Sequence, residues 1–361
     1  MAQTLLGNGY RQQAVVSVIM PVYNIYQQKK RFLSAVRSIQ GQSYPKWELI
    51  IVNDGSTDNT QSVLSQLKDS RIRIINKQNQ GVESARREGI KQATGTYLLH
   101  MDQDDLYEPH AIEIFLKEAL KSNADVVVAH HDRFILNHKL LSFGEVHPQA
   151  LKTHRIITHK VFMDEFYISF FGINNLPVNI WNKLYKVSFL KGCPTPPLTG
   201  QIIEDLSYNM YILPYANCIS LLPNCLYHYR WGGFTNHFDP TIKETALTGY
   251  RHKQHLIDTY NLQSFKRTTA IELLNYLNSF FYNLVLYLKV PSDVFITEAR
   301  ETFALPEVEE SICLIKLFDD YHNPHIDCML KHDYQGLYEV IKTYIHQNRW
   351  RERIKKICLS L

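Results

Sequence analysis

The sequence predicts an α/β fold, a Rossmann-like and mostly parallel sheet with helices on both faces, followed by a helical C-terminal region. Three observations carry that prediction. Short apolar runs alternate with stretches of helical period through the first third of the chain. Each run is followed by a loop rich in polar and turn-forming residues. After residue 240 the chain is all but free of glycine, and leucine and phenylalanine recur at helical spacing.

Residues 15–20 read as a buried strand that Pro21, Val22, Tyr23 and Asn24 bring to an end. Phe32, Val36 and Ile39 lie on one face of the first helix, and Gly41 and Pro45 bracket the turn out of it. A second strand over 47–52 leads into Asn53, Asp54, Gly55 and Ser56. Thr57 or Asp58 can cap the next helix, whose apolar face is Val63, Leu64 and Leu67. A third strand covers 72–75 and a helix covers 83–93. The fourth strand, 97–101, delivers Asp102, Gln103, Asp104 and Asp105 at its carboxyl end. Pro109 opens another helix, and 125–129 closes the series. Ligands bind outside the carboxyl ends of the strands in such sheets, and three polar loops collect there.

Composition sets limits. With 361 residues, 45% of them hydrophobic, the chain is long enough for two or three domains, or one with a long appendage. A net charge of +4, dispersed along the chain, does not suit a nucleic-acid partner. Six cysteines without a C-x-x-C pair read as reduced thiols of a cytoplasmic protein. Residues 1–14 lack the apolar core of a secretory signal. The most apolar helical stretch, 273–288, carries Asn275, Asn278 and Asn283 and is shorter than the roughly 20 residues of a membrane span. It reads as a buried helix, with Leu277, Phe281, Leu284 and Leu288 as one stripe.

The acidic cluster points to a hard divalent cation, Mg²⁺ or Mn²⁺, which takes oxygen ligands from one or two carboxylates and a substrate's phosphates. Neither G-x-G-x-x-G nor G-x-x-x-x-G-K-[ST] occurs, which disfavours dinucleotide and P-loop sites. Together with the two other polar loops, the cluster makes a nucleotide-sugar site the leading reading.

Four segments then resemble the family 2 glycosyltransferases. They are Ser17-Val18-Ile19-Met20-Pro21-Val22-Tyr23-Asn24, Val52-Asn53-Asp54-Gly55-Ser56-Thr57-Asp58, Asn79-Gln80-Gly81-Val82-Glu83-Ser84-Ala85-Arg86 and Asp102-Gln103-Asp104-Asp105. Order and spacing both match. The likeness is strong over 15–130, recognisable to about 235 and uninformative beyond 240. It implies the GT-A fold and transfer with inversion. It implies that Pro21 and Tyr23 flank the nucleotide base and that Asp54 accepts from the uracil ring N–H. Arg86 would reach the base or diphosphate, Asp102 the ribose and metal, and Asp104 would ligate the metal directly. Asp105 reads as a helix cap or a supporting group.

The second half supplies the acceptor side in the same reading. Trp181 and the segment Asn182-Lys183-Leu184-Tyr185-Lys186 resemble a family element below the donor pocket, and alternatively read as a structural strand. Glu204-Asp205 resembles the family's acidic pair at the start of a helix. Inverting transfer needs a base for the acceptor hydroxyl, and a carboxylate in hydrogen-bond reach can serve. Asp205 takes that role, with Glu204 turned to a neighbouring backbone or cation. His228 reads as a third metal ligand or as a buried, satisfied histidine. Arg230 suits diphosphate oxygens, because a planar guanidinium meets them in pairs. Gly232 and Gly233 would allow a lid.

The expected organisation is a nucleotide-sugar-binding half (1–125), an acceptor-binding half (126–238) and a helical region (239–361). The acceptor would be a saccharide or lipid-linked saccharide. Over 340–361, Val340, Ile341, Tyr344, Ile345, Ile354, Ile357, Cys358 and Leu361 share one face, opposed by six basic residues. That pattern suits peripheral contact with the cytoplasmic face of a membrane, or a helix packed on the body with a solvated basic face. Two other functions compete. A sugar-phosphate nucleotidyltransferase would carry a glycine-rich basic loop after strand one, and Pro21-Val22-Tyr23-Asn24 stands there instead. A non-catalytic nucleotide-binding or scaffold protein would not need Asp102, Asp104 and Asp205 together.

Overall fold

A computed structural model of the chain describes residues 14–134, 149–198, 203–230, 240–318 and 321–348. The chain forms two compact units, Met1–Ser169 with Asn174–Trp231, and Phe170–Ile173 with Gly232–Leu361.

The first unit is built on a mixed sheet, nine-stranded among the described residues. The strands are β1 (Val16–Val22), β2 (Trp47–Asp54), β3 (Ile72–Lys77), β4 (Tyr97–His100), β5 (Leu106–Tyr107), β6 (Val126–Phe134), β7 (Arg155–Thr158), β8 (Lys183–Lys186) and β9 (Cys218–Arg230). Their order is β3-β2-β1-β4-β8-β6-β9-β5, with β7 paired to β9. The first four run parallel. Every residue of β1 and β2 is buried, as expected of central parallel strands covered on both faces. Helix α1 (Lys29–Gln40) buries Phe32, Ala35, Val36 and Ile39. Helix α3 (Val82–Gln92), which follows the short α2 (Thr60–Leu64), lies so close to the sheet that a Cβ at Gly89 would sit 2.4 Å from Ile19 Cγ2. Helix α4 (Ala111–Ser122) precedes β6.

The sequence places 125–129 at the end of a parallel series. The structure keeps its direction but separates it from β4. The Lys183–Lys186 segment slides in as β8, antiparallel to both β4 and β6. Two antiparallel steps restore the original direction, so carboxyl ends still gather on one side. At the start of α2, Asp58 is the residue that accepts the Thr60 N–H, at 2.9 Å.

The second unit is helical: Ile242–Thr259, Lys266–Asn283, Ser292–Phe303, Pro306–Lys316, Pro324–Leu330 and Tyr334–Gln347. Phe281 sits at its core, against the rings of Phe295 and Phe303. The expected stripe needs one correction. Leu277, Phe281 and Leu284 are buried, but Leu288 is 51% exposed. The last turn, Leu284–Leu288, is a π-turn, which adds a residue per turn and swings Leu288 off the buried face. Ile341 is buried in this core and Ile345 packs against it, whereas Tyr344 is exposed. Residues 349–361, which hold most of the basic amphipathic pattern, lie outside the described residues. Among the described residues no helix is long and apolar enough to cross a membrane.

Candidate active site

Hydrogen bonds join the loops at the carboxyl ends of the parallel strands. Gln103 Oε1 accepts the Tyr23 backbone N–H at 2.9 Å. Asn24, in a left-handed conformation at φ 50°, accepts the Thr57 N–H at 2.8 Å, and its own N–H donates to Ser56 Oγ at 3.0 Å. Pro21 is buried within β1 and Tyr23 is half-buried at its end.

Asp54, at the end of β2, is buried and bonded on both oxygens. It accepts from Lys77 Nζ at 2.7 Å, from the Gln80 N–H at 3.1 Å and from the Gly81 N–H at 2.8 Å. This carboxylate therefore fixes the turn that opens α3. Gly55, at φ 66°, makes the approach possible, since a Cβ there would meet Asn79 N at 2.5 Å. A uracil N–H would share an already engaged carboxylate.

Arg86, on α3, is the centre of the site. Its guanidinium donates to Asp102 Oδ1 at 2.7 Å, to Asp205 Oδ1 at 3.1 Å and to Glu204 Oε1 at 3.5 Å. The motif carboxylate after β4 and the acidic pair at the start of helix α6 (Glu204–Ile212), which follows α5 (Val187–Lys191), thus meet on one cation. Burial alone would favour neutral Arg86, but Asp205, Asp102 and Glu204 outweigh it and hold the proton firmly. Burial and Asp205 push Glu204 up to about 8. Burial also raises Asp205, opposed by Arg86 and assisted by Asp102. The second Asp205 oxygen accepts the Ile180 N–H at 3.2 Å.

Asp104 and Asp105 differ in their partners. Asp105 is fully buried and acts as a support, not a helix cap. It accepts the Arg230 N–H at 2.6 Å and the Tyr227 hydroxyl at 2.7 Å. The same Tyr227 oxygen accepts the Asp102 N–H at 3.1 Å. Among the described residues no other side chain hydrogen-bonds to the Asp104 carboxylate. Burial and then Asp102 push its pKa up to about 6. Arg230 packs its guanidinium 4.4 Å from the Phe134 ring centre and donates from Nε to the Asp104 carbonyl at 2.8 Å.

On the expected acceptor side, Lys183 is completely buried. Its ammonium donates to the Pro177 carbonyl at 2.7 Å, to Asn182 Oδ1 at 3.0 Å and to the Asn179 carbonyl. Burial lowers its pKa to about 7. Lys183 props the 177–180 segment from below, and Asn209 Nδ2 holds the same segment at the Val178 carbonyl, 2.8 Å away. Trp181 is buried, stacked on Tyr227 at 4.4 Å and on Tyr229 at 5.7 Å. His228 lies between two carboxylates, with Nδ1 2.5 Å from Asp132 Oδ1 and Nε2 2.6 Å from Glu108 Oε1. Gly232 and Gly233 lie outside the described residues.

Sequence reasoning overlooked Gln103, Asn24, Tyr227 and Asn209 as organisers of the site. Gln103 stands inside the acidic motif, where a side-chain amide able to take a backbone N–H was the available signal. The others act through long-range contacts that leave no local pattern.

Residues 17–172 match the family model Glycosyl transferase family 2. Over these residues the chain carries a glycosyltransferase family 2 domain. It is 27% identical over 220 residues to glycosyltransferase GlyA of Streptococcus pneumoniae, a match covering 60% of this chain and 30% of that protein. It is 28% identical over 144 residues to the Escherichia coli enzyme UDP-Glc:alpha-D-GlcNAc-diphosphoundecaprenol beta-1,3-glucosyltransferase WfgD, covering 40% of this chain and 55% of that one. The chain thus spans less than two thirds of the length of either relative. Among solved structures, S. aureus TarS 1-349 superposes with a TM-score of 0.57 at 21% identity, covering 92% of this chain and 91% of that one. TarS has also been solved in complex with UDP-GlcNAc. That likeness is one of fold, the GT-A arrangement with a helical region after it.

Proposed function

We propose that the chain transfers a sugar from a UDP-sugar to an acceptor hydroxyl with inversion at the anomeric carbon, in the synthesis of a surface polysaccharide or glycolipid. The single observation that carries this reading is the Arg86 guanidinium, bonded at once to Asp102 on the donor side and to Asp205 on the helix expected to face the acceptor. A nucleotide-binding scaffold has no use for a buried cation that couples those two groups.

Asp205 is the base. Its raised pKa makes the carboxylate a better proton acceptor, and the Ile180 N–H and Arg86 fix its orientation. The acceptor oxygen loses its proton to Asp205 as it attacks the anomeric carbon, and the nucleoside diphosphate departs from the opposite face. Tyr23, Pro21 and Asp54 line or brace the base pocket, and Arg230 meets the departing phosphates.

Asp102 and Asp104 fit a resident Mg²⁺ or Mn²⁺. They are hard oxygen donors with one residue between them, and burial, then repulsion from Asp102, pushes the Asp104 pKa up to about 6. When bound, such an ion neutralises charge on the diphosphate. His228 is not counted among its ligands, because its ring nitrogens face Asp132 and Glu108 and not the Asp102–Asp104 pair.

The name of WfgD, with its UDP-linked donor and diphosphoundecaprenol acceptor, supports a UDP-sugar and a lipid-linked saccharide as the pair to test first. Incubation with a panel of UDP-sugars and a lipid-linked acceptor extract should release UDP in an acceptor-dependent way and add one hexose mass to the acceptor. UDP binding with no mass addition to any acceptor would return the chain to the scaffold reading.

A further inference from the structure

Strands β6 and β9 bring together three side chains of metal-ligating types. In an unbroken strand, residues three apart point to opposite faces. Here the pairing of β6 with β9 is irregular between His130, opposite Cys225, and His131, opposite Tyr227. Such an irregularity re-aims side chains. It turns Cys225 and His228 to a common side, where Asp132 of β6 stands directly opposite His228. One ligand atom from each of Asp132, Cys225 and His228 lies within 4.8 Å of the others. With ligand bonds of roughly 2.0–2.3 Å, small side-chain rotations bring all three onto one ion.

We propose that Asp132, Cys225 and His228 bind a divalent transition cation, Zn²⁺ by the chemistry of the donors, at a site composed of different residues from the Asp102–Asp104 pair. A thiolate, an imidazole and a carboxylate are borderline-soft donors that suit Zn²⁺ and do not suit Mg²⁺. Glu108 completes the arrangement. Its Oε1 lies 2.6 Å from Nε2, so it takes that N–H and leaves Nδ1 for the metal. A carboxylate behind a ligating histidine is the usual way a tautomer and ring plane are fixed. Three protein ligands leave a fourth position for a water molecule, and Asp132 and Cys225 are partly exposed.

The site has a mechanical consequence. Residues on either side of His228 on β9, Tyr227 next to it and Arg230 two positions on, hold the acidic loop: Tyr227 bonds Asp105 and Asp102, and Arg230 bonds Asp105 and the Asp104 carbonyl. A cation clamping β9 to β6 stiffens the strand on which that loop hangs.

The test uses the full chain, reduced, stripped with chelator and titrated with Co²⁺ in the absence of nucleotide. The expected result is one equivalent bound, with thiolate-to-cobalt charge-transfer absorption in the near ultraviolet and the intense visible bands of a four-coordinate site, both erased by Zn²⁺. Cys225→Ser should abolish the charge-transfer band, and Glu108→Gln should weaken binding about 10–100-fold. Asp104→Ala should leave the spectrum unchanged. Thermal melts of each variant check folding. Absence of the band in the parent chain overturns the proposal and makes His228 an imidazolium clamped by two carboxylates. A band that survives Cys225→Ser, or that is lost in Asp104→Ala, overturns it equally.

Discussion

Arg86 and Asp205, 119 residues apart in sequence, share a 3.1 Å hydrogen bond inside the first unit. The bond closes a bridge from the acidic loop through Asp102 to the helix that begins at Glu204. It joins the acidic loop and that helix through one buried cation.

Removing the cation should cost both folding and function. Arg86 is buried and balances three carboxylates. Breaking a buried ion pair on one side typically costs about 3–5 kcal/mol, because the remaining charge is left uncompensated. Arg86→Met should lower the unfolding free energy by an amount of that order in urea titrations at pH 7. The double variant Arg86→Met with Asp205→Asn should recover part of the loss. Strict additivity of the two changes would show that the pair is not coupled.

Asp205→Asn alone keeps the shape and loses the proton acceptor. Turnover should fall on the order of 10²–10⁴. UDP affinity by calorimetry should stay near that of the parent, since the role proposed for this residue is on the acceptor. A kcat within a few-fold of the parent excludes Asp205 as the base.

Much of this was legible beforehand, and the reasons are local. The buried strands and polar loops of the first hundred residues follow from period and turn chemistry, so Asp54, Asp102 and Asp104 were placed correctly at strand ends. The insertion of β8 between β4 and β6 was not legible, because a four-residue strand carries no period of its own. The sequence likewise could not reveal that Lys183 spends its ammonium on three oxygens beneath 177–180, or that Glu108 and Asp132 enclose His228. Those partners are brought together by pairing between distant strands. The π-turn that exposes Leu288 also breaks the helical period on which the stripe was read.

Asp54→Ala should weaken UDP binding and destabilise the fold together. Three protein donors converge on this carboxylate. Hydrogen bonds to a charged acceptor are worth roughly 1.5–3 kcal/mol each, and the buried donors would be left unpaired. Calorimetry and urea unfolding on the same preparation should show both losses. Unchanged UDP affinity in a destabilised variant would confine Asp54 to bracing the turn before α3.

The acidic loop should leave a signature in the pH dependence of stability. Folded Asp104 has its pKa raised to about 6 by burial and by Asp102, above the roughly 3.9 of an unfolded aspartate. Between those values the folded chain binds the proton more readily than the unfolded chain does. Its contribution to stability is therefore fully present below about pH 3.9 and is lost as pH rises through about 6. Asp104→Asn cannot titrate and should lack this decline. In chelated buffer, the unfolding free energy of the parent relative to Asp104→Asn should fall as pH rises from about 4 to 6 and level off beyond. Excess Mn²⁺ should offset the penalty at pH 7 in the parent, because an ion held by Asp102 and Asp104 favours the charged carboxylates. It should do so far less in Asp104→Asn, which should also lose transfer activity while remaining folded. A difference between parent and variant that stays flat across this range, or an equal response of both to Mn²⁺, would remove Asp104 from the metal site.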